Sequence, residues 1–435
     1  MAGVVTQNRE QWQSKSGFVL ASAGSAIGFG NFWRFAYLVG MNGGAAFVLV
    51  YLASVIVIGI PIMVAEFLIG QKTKLSIAGA FRKLTNRSGV WSSIGLIGVV
   101  ASFITLSYYA VIGGWVTHYL AQALIGNLPV DSSTAVTAFS QLSGSPWPQI
   151  IWYTLFSLLA ANIVARGIRA GIERYSRSLM LLFLILLIGL FVYSLNLPGA
   201  IESLKFMFTF DLSKFNSTAA MLAVGHTFFS LSLGQGIMVA YGSYLPKKIT
   251  IPFASAITTI IDTSTALLAG ITIFAIVFSF GLAPDSGTGL AFITLPPILS
   301  TMPAGQVLGI LFFFLLMIAG LTSAVSMLEV VTVYLIDEWK VNRTLATWGS
   351  AIAIYLFGLV WLVNDITVVD RIAGGYLLIL GGLAIALLVG WMIPAKILAQ
   401  TLQVKTTNGW LSIFRWLNRY LIPTVLIYLL ISGAL

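Results

Sequence analysis

About eleven stretches of this chain are apolar for long enough to cross ~30 Å of hydrocarbon at ~20 residues each. They lie near residues 16–38, 43–70, 91–125, 149–165, 176–197, 218–243, 253–283, 305–336, 344–363, 371–395 and 414–435. A bilayer offers no water to free N–H and C=O groups, so a spanning stretch of this length must close its hydrogen bonds within itself as a helix. The pattern therefore predicts an all-α polytopic membrane protein. Composition agrees: the chain is 58% hydrophobic and only 8% charged, against roughly 25% charged in soluble domains. It contains no cysteine, which excludes a disulfide framework, a thiolate metal site and a cysteine nucleophile. The first fifteen residues are polar and lack the apolar core of a signal peptide, so the first stretch is expected to remain as a span.

The net charge is +10, which in a soluble protein would invite a nucleic-acid partner. Position matters more here. With the N-terminus in the cytoplasm, all but four of the 23 lysines and arginines fall on the inner side, as the positive-inside bias requires. The exceptions are Lys205 and Lys214 in outer loops and Arg34 and Arg371 at outer helix ends. The excess charge is a topology signal and no nucleic-acid partner is expected. An odd number of spans places the C-terminus outside.

Two stretches five apart are interrupted alike: GSAIGFGN (24–31) and SLSLGQG (230–236). One reading is close helix packing through small residues. The other is a pair of helices broken at mid-membrane, the sequence pointer to the binding site of an inverted-repeat transporter.

Seven segments in order resemble the neurotransmitter:sodium symporter family over nearly the whole chain: GSAIGFGNFWRF (24–35), NGGAAF (42–47), GIPIMVAEFLIG (59–70), RGIRAGIER (166–174), FFSLSLGQG (228–236), FITLPPIL (292–299) and AGLTSAVSM (319–327). The resemblance implies a LeuT-like 5+5 inverted repeat, residues 16–197 and 218–395, followed by an eleventh helix at 414–435, with the first and sixth spans unwound. The whole is then one transporter domain. Many bacterial members stop after eleven spans, so a bacterial inner membrane is the implied location. The implied function is sodium-coupled uptake of a neutral L-amino acid by alternating access. The alternative on the same fold is a carrier of another small amine or organic osmolyte, with or without proton antiport. Oligomeric state is left open. An intramembrane enzyme would need a nucleophile–base pair or metal cluster, and HExxH, GxSxG and cysteine are all missing.

A broken helix leaves N–H groups on one half and C=O groups on the other; the first attract a carboxylate, the second cations. By resemblance, N–H groups near Phe29 and Gly30 take the substrate carboxylate with the Tyr109 hydroxyl, while carbonyls of Ala26, Phe229, Ser230 and Ser232 take the ammonium. Two sodium ions are implied. Ala26, Asn31, Ser230 and Asp262 would hold the first, together with the substrate carboxylate. Gly24, Ile27, Ala319, Thr322 and Ser323 would hold the second; a Thr-Ser pair in a membrane helix otherwise bonds its own backbone. Ser25, Thr105, Phe229, Ser232, Gln235, Ser323 and Met327 would line the side-chain pocket, with Phe229 as lid. Thr105 and Gln235 replace apolar residues of the leucine-type pocket, which suggests a polar or mid-sized neutral side chain.

Resemblance also pairs Arg34 with Asp370 as an outer gate and Arg9 with Asp337 as an inner one, Trp12 and Tyr244 packing nearby. Glu66 is expected to satisfy backbone near the first break, and Glu329 has no assigned role. Asp262 occupies the position of the first-site asparagine of relatives. An ionised carboxylate costs roughly 2.5–3.5 kcal/mol at mid-membrane on insertion scales, so it needs a cation. This fixed acid, near Tyr51, His226 and Ser230, implies that no chloride is required; His226 is a candidate proton relay. The plainer reading bonds Asp262 to Thr258 or His226. Two departures stand out: Ala36 and Leu181 replace prolines of relatives, and the second puts unwinding of the inner half of the fifth span in doubt.

Overall fold

A computed structural model of the chain describes residues 9–85, 89–211, 213, 215–281 and 287–433. Eight continuous helices are long and apolar enough to cross a membrane: Ala45–Thr73, Val90–Leu124, Pro146–Ala165, Ile168–Ser194, Ile251–Ser279, Gly305–Trp339, Arg343–Leu362 and Ile366–Met392. The remaining three apolar stretches are helical as well, but differently built. The helix at 409–432 carries Arg415, Asn418 and Arg419 in its first half. The other two are split.

The first split helix runs Lys15–Ala26, turns extended at Ile27 (φ −70°, ψ 110°) and resumes at Gly30. The second runs Ser217–Ser230 and resumes at Ile237–Ser243. Its connecting residues include Ser232, Gly234 and Gly236 at φ +53°, +81° and +77°. Left-handed backbone is inexpensive only for glycine, so the two glycines of GQG make the turn possible. Gly234 has a second reason: a Cβ there would lie 2.0 Å from the Leu378 carbonyl oxygen, so the break is wedged against helix 366–392. Ser232 holds its strained conformation through its hydroxyl, which donates to the Ser25 carbonyl at 2.9 Å. The two breaks are thus tied to each other.

Long helices 90–124 and 305–339 flank the breaks and are apolar around most of their circumference, as buried helices must be. Helix 45–73 meets the second split helix at backbone contact; a Cβ on Gly70 would sit 2.1 Å from the Val239 carbonyl oxygen. Short helices 132–144, 200–208 and 395–402 join the long ones. The helix of the fifth apolar stretch begins at Ile168, eight residues before its apolar run, because IRAGIE (168–173) winds as a wide first turn after Gly167 (φ +88°). It continues unbroken past Leu181 to Ser194.

Candidate functional site

At the first break the freed backbone groups find specific partners. The Phe29 N–H donates to the Tyr109 hydroxyl at 3.2 Å, and the Gly28 N–H to the Asn31 side-chain oxygen at 3.0 Å. Gly28 is required: a Cβ would lie 2.8 Å from the Tyr109 hydroxyl and 3.1 Å from that of Ser323. The Phe29 ring stacks between Tyr109 and Trp33, centroids 4.5 and 5.2 Å away, over Gly320.

Asn31, Ser230 and Asp262 come together as expected, in an orientation that the sequence did not specify. The Asn31 amide nitrogen donates to Asp262 Oδ1 at 2.7 Å, so its oxygen turns back to close the break. Ser230 donates to Asp262 Oδ2 at 2.8 Å and meets the Tyr51 hydroxyl at 3.3 Å. The result is one polar chain, Tyr51–Ser230–Asp262–Asn31, fully buried and drawn from four helices. The expected alternative bonds of Asp262 do not form: Thr258 and both nitrogens of His226 have no partner among the described residues. His226 instead packs its ring against Phe35 and Tyr51, which leaves no hydrogen-bonded relay through it.

Gly24, Ile27, Ala319, Thr322 and Ser323 also converge. Ser323 donates to the carbonyls of Ser25 and Ile27 at 3.1 and 3.0 Å, bolting helix 305–339 to the first break. Thr322 bonds backwards to the Ile318 and Ala319 carbonyls, the local pattern usual for such residues. A Cβ on Gly24 would meet Thr322 at 3.2 Å and Met180 at 2.9 Å, so helix 168–194 touches this cluster too. Ser25, expected to line the pocket, donates its hydroxyl to Ser326 at 2.7 Å. Ser326, three residues after Ser323 in AGLTSAVSM, was missed although the spacing puts both on one helix face.

Phe229 lies against Gly30 and Gly374, where added Cβ atoms would come within 2.5 and 3.3 Å of its ring, with the Arg34 guanidinium 4.4 Å above its centroid. Arg34 reaches Asp370 at 3.5 Å, and the Tyr108 hydroxyl donates to the same carboxylate at 2.8 Å. Tyr108, next to Tyr109 in SYYAV, is a partner of Asp370 that sequence reading overlooked. Thr105 Oγ1 and Gln235 Oε1, expected to line the pocket, are buried with no hydrogen-bond partner found among the described residues. Met327 is buried.

On the opposite side Arg9 Nη1 contacts both oxygens of Asp337 at 2.9 and 3.0 Å and the Lys74 carbonyl at 2.7 Å, its guanidinium 4.7 Å from the Tyr244 centroid. Trp12 donates to the Tyr241 carbonyl. The tail carrying Arg9 is pinned: Glu173 accepts from the Gln13 and Ser14 N–H groups at 2.8 and 3.0 Å, and Glu10 from the Ile168 N–H at 2.7 Å. Glu329 has a role after all. It accepts from the Tyr244 hydroxyl at 2.6 Å and pairs with Arg343, an arginine that charge counting had treated only as a topology marker. Glu66 is corrected as well. Its carboxylate accepts from the Gly234 N–H at 2.8 Å, so it serves the second break and not the first.

Arg9–Asp337 and Arg34–Asp370 thus lie on opposite sides of a pair of facing helix breaks, in a chain similar to known proteins. The profile of the sodium:neurotransmitter symporter family matches residues 9–143 and 137–435. A sodium-dependent transporter of Bacillus subtilis (strain 168) is 34% identical over 446 residues, covering 98% of each chain. The mouse sodium-dependent neutral amino acid transporter SLC6A17 is 25% identical, over 82% of this chain and 63% of its own length. The crystal structure of MhsT in complex with L-phenylalanine superposes with a TM-score of 0.91 at 38% identity, covering 98% of this chain and 100% of MhsT. This multi-pass, all-helical membrane protein, a secondary transporter and not an enzyme, belongs to the sodium:neurotransmitter symporter family.

Proposed function

We propose that the protein couples inward sodium movement to uptake of a neutral L-amino acid, independently of chloride. The observation that carries this reading is the pairing of the two breaks with one buried carboxylate between them: N–H groups at Phe29 and Gly30 with the Tyr109 hydroxyl on one side, Asp262 with Asn31 and Ser230 beside it. A zwitterion and sodium ions satisfy those opposite demands together, which is a physical basis for coupling. Ala26, Asn31, Ser230 and Asp262 would contribute the first ion site, and the carbonyls of Gly24, Ile27 and Ala319 with the hydroxyls of Thr322 and Ser323 the second. Sodium takes hard oxygen ligands, as calcium and magnesium do. The carbonyls of Ala26, Phe229, Ser230 and Ser232 would receive the ammonium. Residues 16–197 and 218–395 would be the two inverted halves, with the N-terminus in the cytoplasm and the C-terminus outside a bacterial inner membrane.

The test is accumulation of labelled amino acids in proteoliposomes with an inward sodium gradient. Uptake should saturate and should vanish when potassium replaces sodium; gradient-independent leakage would instead mark a channel. In the Thr322→Ala/Ser323→Ala double variant, the sodium concentration for half-maximal substrate binding should rise by roughly tenfold, in line with the loss of two hydroxyls at ~1 kcal/mol or less each. An unchanged value would remove these residues from an ion site.

Substrate preference should follow Gln235, whose buried Oε1 has no partner among the described residues and favours a side chain that donates a hydrogen bond, with the Thr105 hydroxyl able to donate or accept. Gln235→Phe should cost polar amino acids more than apolar ones, by roughly 1–3 kcal/mol for the lost acceptor. Competition across an amino-acid panel measures this. If the rank order is the same in both proteins, Gln235 does not face the substrate.

A further inference from the structure

We propose that the junction between helices 366–392 and 409–432 binds the phosphate of an anionic phospholipid in the inner leaflet. The two helices meet at backbone contact: a Cβ on Gly390 would lie 2.7 Å from the Asn418 carbonyl oxygen and 2.8 Å from the Arg419 Cα. That contact holds Arg419 in place. Its Nε donates to the Gly390 carbonyl at 2.9 Å, Trp391 Nε1 donates back to the Arg419 carbonyl at 3.0 Å, and the guanidinium lies 4.7 Å from the Trp391 ring centroid. These bonds use one of five N–H donors of Arg419 and leave the two terminal nitrogens free to take a ligand.

Arg415 stands one turn earlier on the same helix and its Nε is buried with no partner among the described residues. Two arginines at this spacing repel one another. Elsewhere Arg9, Arg34, Arg82 and Arg343 each face a carboxylate; among the described residues Arg415 and Arg419 have no such pair, and no acidic residue occurs from 371 to 435. An anion supplied from outside the chain relieves the repulsion and satisfies the orphaned donors.

Location decides which anion. Ile366–Met392 begins beside Asp370 of the outer pair, so Trp391 is at its opposite, inner end. Gln403, after the short helix 395–402, donates to the Lys247 carbonyl in the link between 243 and 251, on that same side. Trp391, Trp410, Trp416 and Tyr420 are all exposed around the two arginines, the composition of a membrane–water boundary. Lys396 and Lys405 are exposed in the adjoining segment and extend the positive field. Basic clefts between helices on this face suit lipid head groups, at ~1 kcal/mol per basic side chain near an anionic surface. The inner-leaflet assignment rests on the orientation proposed above; the binding itself does not depend on transport.

Native mass spectrometry of the detergent-solubilised protein, with phosphatidylglycerol or phosphatidylcholine added, tests the site. Phosphatidylglycerol adducts should persist, and Arg415→Gln/Arg419→Gln should weaken them by roughly thirtyfold, the product of two basic contacts. Because Arg419 also braces the helix junction, Arg415→Gln alone is the second variant, expected to weaken binding about fivefold without a change in melting temperature in the absence of lipid. Equal retention of the two lipids, retention unaffected by either variant, or displacement by millimolar inorganic phosphate would each overturn the lipid site.

Discussion

Asp262→Asn is expected to lower the apparent sodium affinity of transport by about a hundredfold, or to create a need for chloride that the native protein is proposed to lack. The carboxylate is fully buried and accepts hydrogen bonds from Asn31 and Ser230, yet no lysine or arginine pairs with it among the described residues. Hydrogen bonds alone do not offset the cost of a charge in a membrane interior; a cation does. Asparagine keeps the shape and removes the charge, which by analogy with breaking a buried ion pair forfeits roughly 3 kcal/mol. Chloride placed near Tyr51 and Ser230 would restore the balance. Uptake in gluconate and chloride buffers, for both proteins, reads the effect. A native protein that stops when chloride is withdrawn sinks the idea.

Arg343→Ala should be the most destabilising single change on the inner side. Glu329 is completely buried and Arg343 mostly so; Arg343 also donates to the Val164 carbonyl. Removing the arginine leaves an uncompensated buried carboxylate, worth about 3–5 kcal/mol, and frees Tyr244 from an ordered partner. Loss of melting temperature in detergent should be large, with raised reactivity of a cysteine introduced at the inner face, a probe made clean by the chain's lack of native cysteine. Glu329→Gln/Arg343→Met should recover most of the loss, because the charge and its partner leave together. If the double variant is no more stable than the single one, the pair does not carry the energy assigned to it.

Much of this site was legible because its chemistry is local. GSAIGFGN and SLSLGQG mark where a helix can break or pack closely, since glycine adopts left-handed backbone at little cost and lets neighbouring backbone approach; the structure shows both as breaks. AGLTS, SYYAV and TIIDTS carry hydroxyls and a carboxylate where an apolar side chain would be cheaper. Arg9–Asp337 and Arg34–Asp370 were within reach only through the family resemblance, which pairs them, and both pairs are in contact in the structure. Misreadings arose where one side chain had two breaks or two helices to choose from. Glu66 lies on a helix flanked by both breaks, and only packing of Gly70 and Gly242 against backbone aims it at Gly234.

Sequence alone determined the all-helical membrane architecture, the two glycine-rich segments at which a helix could be interrupted and the identity of the polar residues around them. Each follows from free energies set within one helix: hydrocarbon length, hydrogen-bond closure and the cost of a charge out of water. Tertiary structure alone decided which partner each polar group takes: Asn31 turned to Asp262, Ser25 to Ser326, Glu329 to Arg343, Glu173 to the amino-terminal tail, and His226 to no partner among the described residues. Those choices depend on angles between helices far apart in the chain. A hydrogen bond changes from favourable to absent over about an ångström, a difference that no spacing within a single helix encodes.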